Sequence, residues 1–113
     1  MIETGQFTVY ATFLAQDGKY AQTEALCRES LTLTKAASGL QQAICLEPPK
    51  PDKPFVFVSI WRDKADFQTF LQTPAMREFH SKTAVQKMFD TAMQEATADY
   101  YSVMDAWIPA PLI

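Results

Sequence analysis

The strongest constraint in this sequence is the apolar run FVFVSI at residues 55–60. The run is too short for an independent helix and is rich in β-branched and aromatic residues. Its apolar side chains fall on both faces, so it predicts a central β-strand covered on both sides. Asp63 is a favourable N-cap for a helix that would follow the strand. The i, i+3, i+4 spacing of Phe67, Phe70 and Leu71 predicts the buried stripe of that helix.

A second helix start follows about ten residues later. Thr73 supplies a hydroxyl for the N-cap, and Pro74 suits the first helical position. Met76, Phe79 and His80 then repeat the spacing of the preceding stripe. The single histidine of the chain is therefore expected on an otherwise apolar helix face.

The remaining segments predict three further strands and two further helices. Residues Thr83 to Gln86 fit a capping box, and Val85, Met88, Phe89, Ala92 and Ala96 mark one face of the helix expected there. Gly39 suits the left-handed position after a helix end. The other expected segments are a strand at 6–15, a helix at 19–37, a strand at 40–47, an exposed proline-rich connection at 48–54, and a last strand at 99–107 that Pro109 and Pro111 end.

The helical segments fall in just two of the connections between strands. This order predicts an α+β, ferredoxin-like split βαβ domain over residues 1–113, with a four-stranded antiparallel sheet and its helices on one face. Strands one, three and four carry apolar or aromatic residues on both faces, so the uncovered face would be an unusually large apolar patch. We therefore expect a homodimer in which a second copy covers that face.

Composition excludes several classes of protein. With 48% apolar residues in 113, the chain can build a real core, and a net charge of −3 without a Lys/Arg cluster argues against nucleic-acid binding. The sequence has neither a signal-peptide pattern nor an apolar run of about 18 residues, so we expect a cytoplasmic protein that does not bind membranes. Cys27 and Cys45 lack zinc-motif spacing, so we expect no metal site and two reduced, mostly buried thiols. A disulfide would require the fold to bring them together.

The segment SIWRDKADFQTFLQTPAMREFHSK, residues 59–82, resembles the antibiotic biosynthesis monooxygenase family of the dimeric α/β-barrel superfamily. The resemblance implies a homodimer whose two sheets form a barrel, with a pocket between each sheet and its own helices. It also implies oxidation of a small aromatic, phenolic or quinol-like molecule by molecular oxygen, with no cofactor.

One branch of that family binds and degrades heme. His80 follows Trp61 by 19 residues, the position of the iron-binding histidine in that branch. Phe70 and Ala11, however, stand where the branch has a tryptophan and an asparagine. The resemblance therefore implies that this chain does not degrade heme.

His80 is the candidate catalytic residue, because a substrate oxidised without a cofactor must first lose a proton and histidine accepts protons near neutral pH. The alternatives are a hydrogen-bond partner of the substrate or simply a satisfied imidazole near a helix C-terminus, where the helix dipole favours its cation. Tyr100 and Tyr101 project to opposite faces of one strand, so one can face the pocket. The candidate substrate-binding residues, several of which core packing would also explain, are Tyr10, Trp61, Phe67, Phe70, Met76, Phe79, Tyr100 and Tyr101.

A noncatalytic or stress-associated protein that holds a small apolar ligand in the same dimeric barrel is the alternative function. A cavity that reaches His80 or a tyrosine hydroxyl would favour an enzyme, and a filled interior would favour a structural role.

Overall fold

Four antiparallel strands form one sheet in the computed structural model, which describes residues 2–109. The strand order is β2-β3-β1-β4, and each neighbouring pair is antiparallel. One connection contains α1 and the connection from β3 to β4 contains α2, α3 and α4, so the predicted ferredoxin-like plan is confirmed. The elements are β1 Phe7–Ala15, α1 Tyr20–Thr34, β2 Leu40–Leu46, β3 Phe55–Trp61, α2 Lys64–Leu71, α3 Pro74–Phe79, α4 Lys82–Thr91 and β4 Met93–Ser102.

The two predicted N-caps after β3 are confirmed. The Asp63 carboxylate accepts a hydrogen bond from the Asp66 backbone N–H at 2.8 Å, and the Thr73 hydroxyl accepts one from Met76 N–H at 3.4 Å. Each cap satisfies a backbone donor that the first helical turn cannot use. α2 and α3 therefore begin where the local sequence places them.

The predicted start of α4 was wrong. The capping box expected at Thr83 does not form, because the Ser81 hydroxyl already accepts a hydrogen bond from Ala84 N–H at 3.1 Å. Ser81 comes directly after the end of α3, so α4 begins at Lys82 with almost no intervening loop.

The predicted end of α4 was also wrong. The helix ends at Thr91, whereas Ala96, expected on its apolar face, lies in β4 opposite Phe13. The carbonyl of Ala92 instead accepts hydrogen bonds from Gln16 N–H at 2.8 Å and from the Thr23 hydroxyl at 3.0 Å. These bonds hold the end of α4 against the turn between β1 and α1.

The last strand lies earlier than predicted. β4 covers Met93–Ser102, and the segment expected to complete it, 103–107, lies beyond its end. Ser102 pairs with Phe7, the first residue of β1, and Val103 forms backbone hydrogen bonds with Gly5 and Gln6, which precede that strand. The first half of β4 is a mostly exposed edge strand whose polar sequence gives no apolar alternation. Pro111, expected to end the strand, lies outside the described residues.

Burial alternates along β3. Phe55, Phe57, Ser59 and Trp61 are buried beneath the helices, while the residues between them, Val56, Val58 and Ile60, are only half-buried on the other face. The chain itself therefore covers one face of its central strand, and the cover predicted for the second face is absent from the described residues of a single copy.

A contact between Gly39 and Asp66 joins the turn before β2 to α2. Gly39 has a φ of +83°, as predicted, and its Cα lies directly against the Asp66 side chain. Arg62 N–H donates to the Gly39 carbonyl at 2.7 Å, and the Arg62 guanidinium donates to both carboxylate oxygens of Asp66, at 2.7 and 3.0 Å. This arrangement orients α2 over the sheet.

Candidate functional site

A cavity of about 410 Å³ lies between the sheet and its helices. It exists where small side chains meet in the sheet: Ala11 of β1 pairs with Ala98 of β4, and Phe13 pairs with Ala96. These alanines leave space that the helix side chains do not fill. The sheet wall includes Val9, Ala11, Phe13, Phe57, Ser59 and Trp61, and the helix walls include Leu26, Ser30, Phe67, Phe70, Met76 and Phe79.

Most of the candidate site residues border this one cavity. Among the described residues, His80 and Tyr100 are the only ionisable side chains that line it. Tyr10 and Tyr101 instead lie on the opposite face of the sheet, because side chains alternate along each strand. Their rings contact each other edge to face, with centroids 6.4 Å apart. The candidates that line the cavity are Trp61, Phe67, Phe70, Met76, Phe79, His80 and Tyr100.

Trp61 forms the rigid floor of the cavity. Its side chain is 0% exposed, and its indole N–H donates to the Ser59 hydroxyl at 2.9 Å. The ring centroids of Phe67 and Phe70 lie 5.4 and 5.1 Å away, at tilted or edge-on angles favourable to aromatic pairs. Because its indole N–H is already bonded and its ring is fully covered, Trp61 supports the aromatic wall of the cavity from behind Phe67 and Phe70.

The hydroxyl groups that α1 contributes to the cavity are engaged within the helix. Ser30 donates to the Leu26 carbonyl at 3.0 Å, and Thr34 donates to the Ser30 carbonyl at 2.6 Å. Neither hydroxyl has its proton free to bind a ligand. The α1 wall is therefore less polar than its composition suggests.

His80 lies at the mouth of the cavity, directly after α3. Its backbone N–H donates to the Met76 carbonyl at 2.9 Å, and its ring meets the Phe79 ring edge-on at 5.5 Å. The residue is exposed overall, yet partial burial of the imidazole lowers its pKa from the ordinary value of 6.5. Desolvation disfavours the charged form of the imidazole. Within residues 2–109, the imidazole makes no hydrogen bond, so at neutral pH it is a neutral group able to accept a proton.

Tyr100 stands on the edge strand at the same cavity. The side chain is 58% exposed, and its ring contacts Phe7 and Phe67 at centroid distances of 5.4 and 5.9 Å. Its hydroxyl makes no hydrogen bond in the part of the chain that the structure describes. Tyr100 and His80 therefore supply the ligand-facing polar chemistry.

Several lining residues were not singled out from the sequence as site residues. They come from α1, from α4 and from the first half of β4. Val85 and Met88 of α4 lie on a stripe that the sequence marks as apolar, which is a usable signal. Ala96 and Ala98 carry no such signal, because their role depends on pairing with β1.

A second, larger and more open groove of about 880 Å³ lies on the other face of the sheet. It is bordered by Tyr10, Ile60, Tyr101 and the chain after β4, including Trp107 and Ile108. The groove contains no histidine, so the smaller cavity is the better candidate for proton chemistry.

Residues 2–109 contain neither a candidate metal site nor a candidate membrane-spanning helix. Among residues 2–109, no three His, Cys, Asp or Glu side chains are grouped so that they could hold a metal ion. No helix in the same part of the chain is both long enough and apolar enough to span a membrane.

The chain matches one protein family. Residues 6–82 match the family model described as antibiotic biosynthesis monooxygenase. This region includes β1, α1, β2, β3, α2 and α3, and so carries Trp61 and His80. A search among curated proteins gave no match.

Solved structures share the fold at low sequence identity. PA3566 from Pseudomonas aeruginosa is 18% identical over 93% of this chain and 100% of its own, with a TM-score of 0.72. NE2512 from Nitrosomonas europaea, a protein of unknown function, is 18% identical over 96% and 98%, with a TM-score of 0.70. SnoaB from Streptomyces nogalater, described as a cofactor-independent oxygenase, is 16% identical over 92% and 96%, with a TM-score of 0.65.

Proposed function

This chain belongs to the antibiotic biosynthesis monooxygenase family, and we propose that it is a cofactor-independent monooxygenase acting on a small aromatic, phenolic or quinol-like molecule. The observation that carries the proposal is the aromatic cavity with a neutral imidazole at its mouth. The description of SnoaB as a cofactor-independent oxygenase supports the reaction class.

The cavity suits a flat, largely apolar ligand. Its volume of about 410 Å³ falls in the usual range for small-molecule sites, roughly 300–1,000 Å³. Phe67 and Phe70 line the cavity with aromatic rings, and Trp61 packs behind them. With no lysine, arginine, aspartate or glutamate among its lining residues, the cavity has no partner for a strongly charged ligand.

The proposed reaction begins with proton transfer. His80 accepts the proton of a phenolic or quinol hydroxyl, which raises the electron density of the ring. The ring then supplies electrons to molecular oxygen, and a carbon–oxygen bond forms to give a hydroperoxide. Loss of water leaves a quinone, so one oxygen atom enters the product, the other leaves as water, and the substrate supplies all four electrons.

Tyr100 is proposed to position the substrate. Its hydroxyl makes no hydrogen bond within the described part of the chain, and it can donate to a substrate oxygen. The ring is proposed to be held, and water excluded, by Trp61, Phe67, Phe70, Met76 and Phe79. Excluding water strengthens the attraction between protonated His80 and the ionised substrate. Tyr10 and Tyr101 are not included, because they lie on the other face of the sheet.

We also propose that the working form is a homodimer. The sheet face opposite the helices exposes Tyr10, Ile44, Leu46 and Tyr101. A second copy packed on this face would cover these exposed apolar and aromatic side chains.

Oxygen uptake provides the test of function. The protein is mixed with a panel of phenols and quinols, and oxygen consumption and product mass are measured with ¹⁸O-labelled dioxygen. The proposal expects uptake dependent on protein and substrate, with one labelled atom in the product. Saturable binding without uptake across the panel would contradict it and would favour the small-ligand-binding alternative.

A further inference from the structure

The two cysteines, which lie far apart in the sequence, are neighbours in the fold. Cys27 lies in the middle of α1 and is 2% exposed, whereas Cys45 lies in β2 and is half-buried. The Cys45 thiol donates to the backbone carbonyl of Cys27, with the sulfur 3.5 Å from the oxygen. Both are free thiols packed against Phe55 and Phe57. They do not line the cavity that contains His80.

We propose that Cys27 and Cys45 form a redox site that a hydroperoxide converts into a reversible disulfide between α1 and β2. This inference is independent of the proposed oxygenase function. It depends on the contact of the Cys45 thiol with the backbone of Cys27 and on a surface opening beside both residues.

The two thiols have different access to an oxidant. Both border a cleft of about 230 Å³, which Glu24, Arg28 and Glu47 also line. Cys45 is half-exposed to this cleft, while Cys27 is buried beneath it. Burial, followed by the neighbouring Cys45, raises the pKa of Cys27 to about 12, so Cys27 stays protonated at neutral pH. Cys45 is therefore the thiol that meets the oxidant.

Arg28 places a positive charge at the same cleft. Its guanidinium pairs with Glu24 at 3.1 Å, and both side chains remain partly exposed. The cleft therefore carries charged side chains of both signs, and it is open to a small polar oxidant such as a hydroperoxide.

The proposed chemistry proceeds in two balanced steps. The Cys45 thiolate attacks a hydroperoxide, the O–O bond breaks, and an alcohol or water leaves, giving a sulfenic acid. The Cys27 sulfur then attacks the Cys45 sulfur, and the hydroxyl leaves as water with the Cys27 proton. Two thiols are oxidised by two electrons and one peroxide is reduced. A dithiol reductant reverses the change by thiol–disulfide exchange.

A disulfide at this position would restrict α1. The helix also provides Leu26, Ser30 and Thr34 to the cavity, and Leu26 is the immediate neighbour of Cys27. The crosslink also restricts the unfolded chain between the two cysteines. This lowers the entropy of the unfolded state and so raises thermal stability. We expect the oxidised protein to melt roughly 10 °C higher than the reduced protein.

Peptide mapping of the native protein after treatment with hydrogen peroxide tests the proposal. We expect the mass of the protein to fall by that of two hydrogen atoms. The map should contain a peptide pair linked through Cys27 and Cys45, and dithiothreitol should reverse the change completely. The Cys45→Ser variant should form no link and keep Cys27 reduced. The Cys27→Ser variant should stop at a Cys45 sulfenic acid that a dimedone probe labels.

The wild-type map is decisive even if the buried Cys27→Ser variant fails to fold. Cys45 oxidised beyond sulfenic acid beside an intact Cys27 thiol would overturn the proposal. So would a link between the Cys45 residues of two chains, or the absence of any native-state reaction. A linked product that melts at a lower temperature than the reduced protein would show that the bond distorts the fold and would also count against the proposal.

Discussion

The indole of Trp61 donates its hydrogen bond to Ser59, its neighbour on the same face of β3, across 2.9 Å. Both side chains are buried beneath the helices. This pairing satisfies the polar atom of a large aromatic residue without water or an ionisable group. The residues that support the candidate site from below are therefore held in place without water.

Replacing Trp61 by Phe should lower the free energy of unfolding by about 2–3 kcal/mol. The variant removes the indole volume and leaves the Ser59 hydroxyl without its partner. Ser59→Ala should cost about 1–3 kcal/mol, because the buried indole N–H then has no acceptor. Urea unfolding of both variants and of the double variant measures the coupling. The double variant should lose clearly less stability than the two single losses added together, and simple additivity would show that the bond contributes little.

Gly39→Ala should destabilise the protein more than Gly18→Ala. Both glycines have positive φ, +83° and +75°, so each alanine carries the same backbone strain of about 1 kcal/mol. Only at Gly39 would the new methyl group collide with the Asp66 side chain, since Gly18 faces open space. The difference in unfolding free energy should be at least about 1 kcal/mol. Equal losses would show that Asp66 moves aside without cost.

The stability of the protein should depend on pH through His80. Its pKa in the folded state is lowered by burial, so the unfolded chain binds a proton more readily. The contribution of neutral His80 is complete above the unfolded value of 6.5 and is lost as pH falls below it toward the folded pKa. Urea unfolding from pH 7.5 to pH 5 should therefore show wild type losing stability relative to His80→Asn. A relative gain on acidification would mean that the fold stabilises the imidazolium.

Light scattering at micromolar concentration should give twice the mass of one chain. The free sheet face is apolar, and obligate interfaces of this kind bury on the order of 2,000 Å² or more. Tyr101→Lys, a change on that face, should shift the mass toward the monomer, because it places a charge in the interface. Phe89→Lys is the matched control, since Phe89 is an exposed aromatic residue outside both the cavity and the groove. A monomeric wild-type protein would contradict the dimer.

The parts of the fold that depend on short-range interactions were predictable from the sequence. Asp63 and Thr73 each cap a helix through a backbone N–H three residues later, so their effect is visible within one turn. The apolar, β-branched and aromatic run of β3 gave its position within one residue, although the residues on its second face stay half-buried in a single copy. The first half of β4 was missed because an exposed edge strand is defined by its partner β1, not by its own apolar pattern.

In the candidate site, too, features set by local sequence could be predicted, and features set by strand pairing could not. Trp61, Phe70 and Met76 could be predicted because helix spacing and the apolar strand point them toward the core. Tyr10 and Tyr101 were grouped with them by residue type, yet strand register places both on the other face. The cavity itself depends on Ala11, Ala96 and Ala98. Their importance is apparent only once the pairing of β1 with β4 is known.

The turnover of His80→Ala tests the central claim most directly. With a substrate that the wild-type protein oxidises, oxygen consumption at pH 7 should fall by about 10²- to 10⁴-fold, the usual contribution of a positioned general base. The dissociation constant of the substrate, followed by tryptophan fluorescence, should change little. Activity should recover as pH approaches the pKa of the substrate hydroxyl, since an already ionised substrate needs no base. Undiminished turnover by a folded His80→Ala variant at pH 7 would contradict the assignment of His80 as the base.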